Sequence, residues 1–359
     1  MITLRITAKP AYELLLTLVA YLTPGRVDSY EVGPTWFTTV DDRLDDETRS
    51  QITRLFSGCE HLVVRLLDVA LRLPPPASAD DLLAAITELE PRTVRLILLG
   101  YHAKRARQRV APATILAAAD GDAAAGRTLI EDNSDGPECE RGLAGVLALS
   151  EQEAAELLMS VLRSWNDAVF QRHHVETGPL IEREAERLRG RSRELSPEAF
   201  VAEAVNGTDV VPAPGVDEIE IFPTWVLRPW NVFCEQDPVL LIGVGVTAGQ
   251  LSDDPAAPPD RLVRLARAFG DERRLRILRQ LLGGSYTLQQ LAEQLGTPKT
   301  TLLHHLVILR SVGIVQVGTS GQGRYSLRPG TIRELYLLLD DYLPVVPRDN
   351  EALPMLVRR

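Results

Sequence analysis

Cysteine is scarce in this chain of 359 residues: Cys59, Cys139 and Cys234 are far apart and odd in number. That usage fits a reducing cytoplasm better than a disulfide framework. Long apolar runs are also missing, and no stretch reaches the roughly 20 residues that cross a bilayer. The one apolar helical stretch near the start, Ala11 to Tyr21, is interrupted by Glu13 and carries no signal-type cleavage site. Lysine occurs only three times, a bias to which no functional weight is given.

Catalytic constellations are lacking too. The segment GVGVTAG at 243–249 follows an apolar run, but proline-rich chain comes after it, so a phosphate there lacks a helix N-terminus. It reads as a strand end with small residues. His173 and His174 adjoin Glu176, yet neighbours on a helix point about 100° apart and chelate poorly; solvated polar side chains are expected. Cys139 sits in an apparent loop between Glu138 and Glu140, whose charges raise a thiol's pKa. Trp225, Trp230 and Phe233 read as core or domain contact. No enzyme is expected, and no catalytic residue, cofactor or metal ligand is assigned.

Composition is otherwise ordinary for a soluble protein, with 45% hydrophobic and 25% charged residues. The length predicts two domains. The net charge of −10 argues against wrapping nucleic acid, but the charge is segregated: residues 260–334 carry +7 and the remainder −17. Arg261, Arg264, Arg267, Arg273, Arg274, Arg276, Arg279, Arg310, Arg324 and Arg328 supply most of that basic field.

Within this basic stretch the periodicity is clear. Leu262, Leu265, Ala266 and Phe269 make one helical stripe, ended by Gly270. Asp271 caps a second helix whose expected buried face is Leu275, Leu278, Leu281 and Leu282. After Gly283-Gly284 come Leu288, Leu291, Ala292 and Leu295, then a turn at Gly296, an expected N-cap at Thr297 and Pro298 at the first helical position. A last helix of the group runs from about Pro298 to Val312. Ile314–Val317 and Arg324–Leu327 read as strands joined by GTSGQG. This order is that of a winged helix-turn-helix, a module that lays one helix in the DNA major groove.

On the fourth helix Leu302, Leu306 and Leu309 point inward. Thr300, Leu303, His304 and Val307 are expected outside, with Lys299 at the entry. Such groups meet base edges, while the helix start and nearby cations meet phosphates. The DNA-facing candidates are Thr297, Lys299, Thr300, Thr301, Leu303, His304, Val307, Arg310, Gln322 and Arg324. Arg324, at the base of the wing, is the best single candidate for a backbone or minor-groove contact.

The segments AFGDERRLRILRQL and LQQLAEQLGTPKTTLLHHLVILRSVGIV, with a hairpin ending GRYSL, resemble the ArsR/SmtB-type winged helix over about a fifth of the chain. The resemblance implies homodimeric transcriptional regulators, usually repressors released by a ligand, joined through helices flanking the motif. Here those helices offer Leu262, Leu265 and Phe269, and Ile332, Leu335, Tyr336 and Leu339, with Tyr342 and Leu343 continuing the second stripe. Departures are Leu303 and Val307, one turn apart, where relatives carry polar or basic groups. This seam reads T-rich sequence, tucks under the N-terminal domain, or docks a protein partner. The positions at which relatives hold metal, TLQQLAEQL and TIRELYLLLDDYL, offer no cysteine or histidine, so no metal sensing is expected there.

The first 251 residues read as a large, mostly helical domain with a few strands, giving a mainly α (α+β) class overall. Ile2–Ile6, Ile219–Ile221 and Val239–Val246 are expected strands, with Trp225–Glu235 extended. Expected helices are Ala11–Tyr21, bounded by Pro24-Gly25, one long helix Ile52–Leu73, then Asp80–Leu89, Pro91–Tyr101, and Ala154–Trp165 behind a Ser150/Glu153 capping pair. Pro179–Arg193 reads as a solvated helix. Residues 252–260 form a Pro- and Asp-rich linker, 261–343 the DNA-binding module and 344–359 a tail. The segments ITLRITAKPAYELLLTLVAYL and RSWNDAVFQRHHVETGPLIEREAERLR resemble the N-terminal region of long ArsR-like regulators, implying an accessory domain for an unknown ligand or partner. The combined expectation is a cytoplasmic regulator that binds operator DNA as a homodimer. The alternative is an interaction module whose helix-turn-helix no longer binds DNA.

Overall fold

A computed structural model describes residues 2–23, 30–205, 210, 215–228, 230–236, 238–246, 258–317 and 323–343. The chain is mainly helical with a few strands, and it divides into two compact units. One comprises residues 1–205 and 210–250, the other 206–209 and 251–359. Gln322, the residues joining the expected wing strands, most of the 252–260 stretch, the Pro24-Gly25 boundary and the expected tail lie outside the described residues.

The first unit opens with strand β1 (Thr3–Ile6) and helices α1 (Pro10–Tyr21), α2 (Gly33–Arg43), α3 (Asp46–Phe56), α4 (Glu60–Val64) and α5 (Leu67–Arg72). Next come α6 (Ala79–Thr87), α7 (Pro91–Leu99), α8 (Lys104–Arg109), α9 (Pro112–Ala119), α10 (Ala123–Asn133) and α11 (Pro137–Ala148). Helix α12 (Glu151–Trp165) runs through a π turn into α13 (Gln171–Ser192), followed by α14 (Pro197–Ala204). Strands β2 (Glu218–Thr224), β3 (Val232–Gln236) and β4 (Val239–Gly245) complete a four-stranded sheet of order β1-β2-β4-β3. Its first two pairings are parallel and the last is antiparallel.

Strand alternation sorts the sheet's two faces into separate cores. Ile219, Ile221, Leu240, Ile242 and Val244 pack with Leu188, Phe200 and Val201, whereas Phe222 and Leu241 join the large helical core. Gly243 lies against Phe222, whose ring leaves no room for a side chain: an added Cβ would stand 2.8 Å from it.

Two buried carboxylates tie the N-terminal segment to this sheet, because a buried charge needs partners. Glu220 accepts from Thr7 Oγ1 (2.7 Å) and Tyr12 Oη (2.6 Å). Glu13, whose expected role was only to interrupt an apolar stretch, is buried and accepts from Thr224 Oγ1, Trp225 N and Val226 N at 2.7–3.0 Å. His173 Nε2 lies 3.2 Å from the same carboxylate, so His173 is a buried partner and the expectation of a solvated side chain is corrected.

Further corrections concern elements. The stretch 52–73 is three helices, not one: Ser57 and Gly58 adopt left-handed φ values of 49° and 80°, which end α3. Residues 179–193 belong to α13, which buries Ile181, Glu184, Ala185 and Leu188, so that segment is more than a solvated helix. The Ser150/Glu153 capping box is formed, with both bonds near 3 Å. Cys139 lies in the first turn of α11, not in a loop. It is joined to Cys59 by a disulfide across 80 residues, their Cα atoms 4.6 Å apart, against the expectation of unpaired thiols. Cys234 is free. Among the described residues no helix is long and apolar enough to cross a membrane.

Candidate nucleic-acid interface

The second unit comprises α15 (Asp260–Phe269), α16 (Glu272–Leu281), α17 (Leu288–Leu295), α18 (Lys299–Ser311), strands β5 (Val315–Val317) and β6 (Tyr325–Leu327), and α19 (Pro329–Tyr342). Its core gathers Leu265, Ala268, Ile277, Leu278, Leu281, Leu291, Leu302, Leu306, Leu309, Ile314 and Val315. Local signals start and stop each helix. Asp271 Oδ1 accepts from Arg274 N at 3.0 Å, and Thr287 and Gln290 form a reciprocal capping box. Gly296, with φ of 58°, closes α17. The backbone of Tyr286 pairs with Tyr325, anchoring the β5–β6 hairpin against the turn before α17.

On α18 the buried face is Leu302, Leu306 and Leu309, and the exposed groups cluster at its start: Lys299, Thr300, Leu303 and His304. Thr301 is half-buried. Val307 is only 7% exposed. Its azimuth matches that of Thr300, but it lies two turns further along the axis. The expected Leu303–Val307 seam is therefore corrected to Leu303 alone. The helix begins at Lys299, with Pro298 rather than Thr297 as N-cap, and half-buried Thr297 bonds back to Leu295 O at 3.2 Å.

His305, beside the outward His304, turns inward and stands 3.8 Å from the Asp271 carboxylate. Burial pushes its imidazole below the usual range, against the pull of Asp271. The Asp271 carboxyl is itself held low by the Arg274 backbone N–H. Sequence reasoning missed this pair, although His305, unlike His304, falls beside the Leu302, Leu306 and Leu309 stripe.

The arginines separate into two kinds. Arg261 forms a bidentate pair with Glu334, both bonds 2.7 Å, and also reaches Val312 O. Arg274 donates to the carbonyls of Ala268 and Arg267 at 2.8 Å each. Arg310 is half-buried; among the described residues its Nε has no acceptor, and burial lowers its pKa. The expectation that Arg310 faces DNA is corrected: its guanidinium is drawn into the module near Tyr325. Arg267, Arg273, Arg276, Arg279 and Arg324 are exposed. Arg324 donates to Ser285 O, which positions it at the hairpin base, and Lys299 Nζ lies 3.4 Å from Gln289 Oε1.

The flanking helices show two different faces. Leu265 is buried in this unit's own core, Phe269 packs partly against it and Leu262 is also buried; the expectation that Leu262 and Leu265 are exposed for an interface between chains is corrected. On α19, Leu335 and Leu338 pack inward. Ile332 (42%), Tyr336 (67%), Leu339 (39%) and Leu343 (58%) are exposed at i, i+4, i+7 and i+11, one continuous apolar stripe. On α16 the buried arc is Ile277, Leu278 and Leu281; Leu275 and Leu282 fall just outside it and are exposed, contrary to expectation.

Residues 271–317 match the family described as bacterial regulatory protein, arsR family. The chain is also similar to an uncharacterised HTH-type transcriptional regulator of Methanocaldococcus jannaschii, 32% identical over 84 residues that cover 23% of this chain and 94% of that protein. No solved structure matches the chain.

Proposed function

The chain belongs to the ArsR-type helix-turn-helix regulators, and from that premise we propose that it binds operator DNA as a homodimer and represses transcription. The observation that carries this reading is the outward cluster Lys299, Thr300, Leu303 and His304 at the start of α18, within a segment of charge +7. Residues at the start of a recognition helix meet base edges, and its free N–H groups favour phosphate. Thr300 and Leu303 offer methyls to thymine, and His304 offers a ring nitrogen to a base or phosphate. Arg324, fixed by Ser285 at the base of the β5–β6 wing, serves the adjoining backbone or minor groove.

Dimerisation follows from the α19 stripe, since such an apolar row left in water favours association with a second copy. The paired recognition helices then set the half-site spacing, and the first unit shifts that spacing when an effector binds. In this reading the protein acts in the cytoplasm as a binding protein, not an enzyme. The docking alternative is left with Leu303 alone on this face, since Val307 is buried.

Footprinting of bound sites across the genome tests the reading. Protected sites with two-fold symmetry, their centres about one helical turn or a multiple apart, are expected. Protection without symmetry, or none, contradicts it.

A further inference from the structure

We propose that Cys59, Cys139 and His61, once the S–S bond between the two cysteines is reduced, form a zinc-binding site in the first unit. The three ligand atoms (two Sγ and an imidazole nitrogen) all lie within 4.8 Å of one another. His61 Nδ1 is 3.4 Å from Cys139 Sγ and 3.6 Å from Asp135 Oδ2. Two thiolates and an imidazole are donors zinc prefers, and the Asp135 carboxylate stands against the imidazole, outside the group of three mutually close ligand atoms.

The fold builds this cluster from distant parts of the chain. The left-handed turn at Ser57 and Gly58 delivers Cys59 and His61, while α11 delivers Cys139. Gly142, one turn beyond Cys139, permits the close approach: a Cβ there would stand 2.8 Å from Phe56 O and 3.0 Å from Cys59 Cβ. Asp135 is oriented by Arg109 (2.8 Å) and Arg105 (3.2 Å). Cys59 and Cys139 are buried, and the half-exposed His61 is the side from which an ion enters. A structural crosslink alone needs neither the imidazole nor the carboxylate beside it.

The chemistry balances in two steps. A dithiol transfers two electrons and two protons to the S–S bond, giving two cysteine thiols and its own cyclic disulfide. The divalent ion then displaces both thiol protons, so that two thiolates, a neutral imidazole and the ion sum to zero charge. The sulfurs separate to roughly 3.7 Å, as tetrahedral coordination at about 2.3 Å per Zn–S bond requires. This site is independent of the DNA-binding reading.

The test uses the full chain, reduced with dithiothreitol, desalted without oxygen and titrated with Co(II) as the spectroscopic probe. One Co(II) per chain with a thiolate-to-cobalt charge-transfer band and tetrahedral d–d bands is expected, both erased by Zn(II). The oxidised protein and Cys139→Ser should lack the charge-transfer band, and Cys234→Ser should keep it. His61→Ala, which leaves both thiols in place, should weaken binding by more than the roughly 10–100-fold that an outer-sphere change costs. Three results overturn the proposal: an S–S bond that resists the dithiol in the folded protein, free thiols with no charge-transfer band, or a band unaffected by His61→Ala.

Discussion

Single residues decide where the second unit is stable and where it is available to a partner. Asp271 caps α16 through Arg274 N, so Asp271→Ala should cost about 1 kcal/mol at neutral pH. Its carboxyl is held low in the fold; the contribution is present above the ordinary carboxylate value of about 3.9 and is lost as pH falls through the lowered folded value. His305 acts in the same direction. Its folded pKa is lowered, so it favours the folded state fully above about 6.5, and below that value the unfolded chain takes up the proton more readily. Hydrogen exchange of amides in 260–343 should quicken as pH, corrected for intrinsic rates, drops from 7 to 5, and His305→Gln should flatten that trend. An equal trend in both proteins removes the assigned role. In the first unit, Gly142→Ala should destabilise by roughly 1–3 kcal/mol through overpacking against Phe56 and Leu62; unchanged urea denaturation contradicts that packing.

Among elements, α19 makes the sharpest claim. Its inward residues Leu335 and Leu338 belong to the core, so the outward Tyr336 and Leu339 can be altered without touching it. Tyr336→Glu combined with Leu339→Glu should halve the mass seen by light scattering while leaving the helical circular dichroism intact. A dimer that survives the pair of charges places the interface elsewhere. The same two faces explain what was legible beforehand. Leu302, Leu306 and Leu309 declared the core side of α18, because one apolar stripe meets one core. Val307 did not declare itself, since a wheel reports azimuth and says nothing of depth along the axis. Leu275 and Leu282 failed for a related reason: they sit at the edge of the α16 arc, where a singly exposed leucine is ordinary. In 52–73 the left-handed pair at Ser57 and Gly58 separates α3 from α4, whereas the break between α4 and α5 keeps right-handed dihedrals at Arg65 and Leu66 and so left no mark in the sequence.

At the scale of the whole molecule, charge was readable and connectivity was not. The basic and acidic parts could be counted from the chain, whereas the Cys59–Cys139 bond joins residues 80 positions apart and depends on how α11 packs near α4. The burial of Glu13 with His173 and Thr224 is likewise a property of tertiary structure, since a lone carboxylate in an apolar helix reads as an interruption. The separation of charge supports the central claim, that the start of α18 and the base of the β5–β6 hairpin meet DNA phosphate and base edges. Fluorescence anisotropy with the protein's own promoter fragment, repeated across a salt series, tests it most directly. The plot of log K against log salt should be steep and negative, with a slope of about −0.9 per phosphate neutralised. Lys299→Ala and Arg324→Ala should each weaken binding and lower the slope by about 1. Binding indifferent to salt and sequence, or slopes identical in all three proteins, contradicts the account.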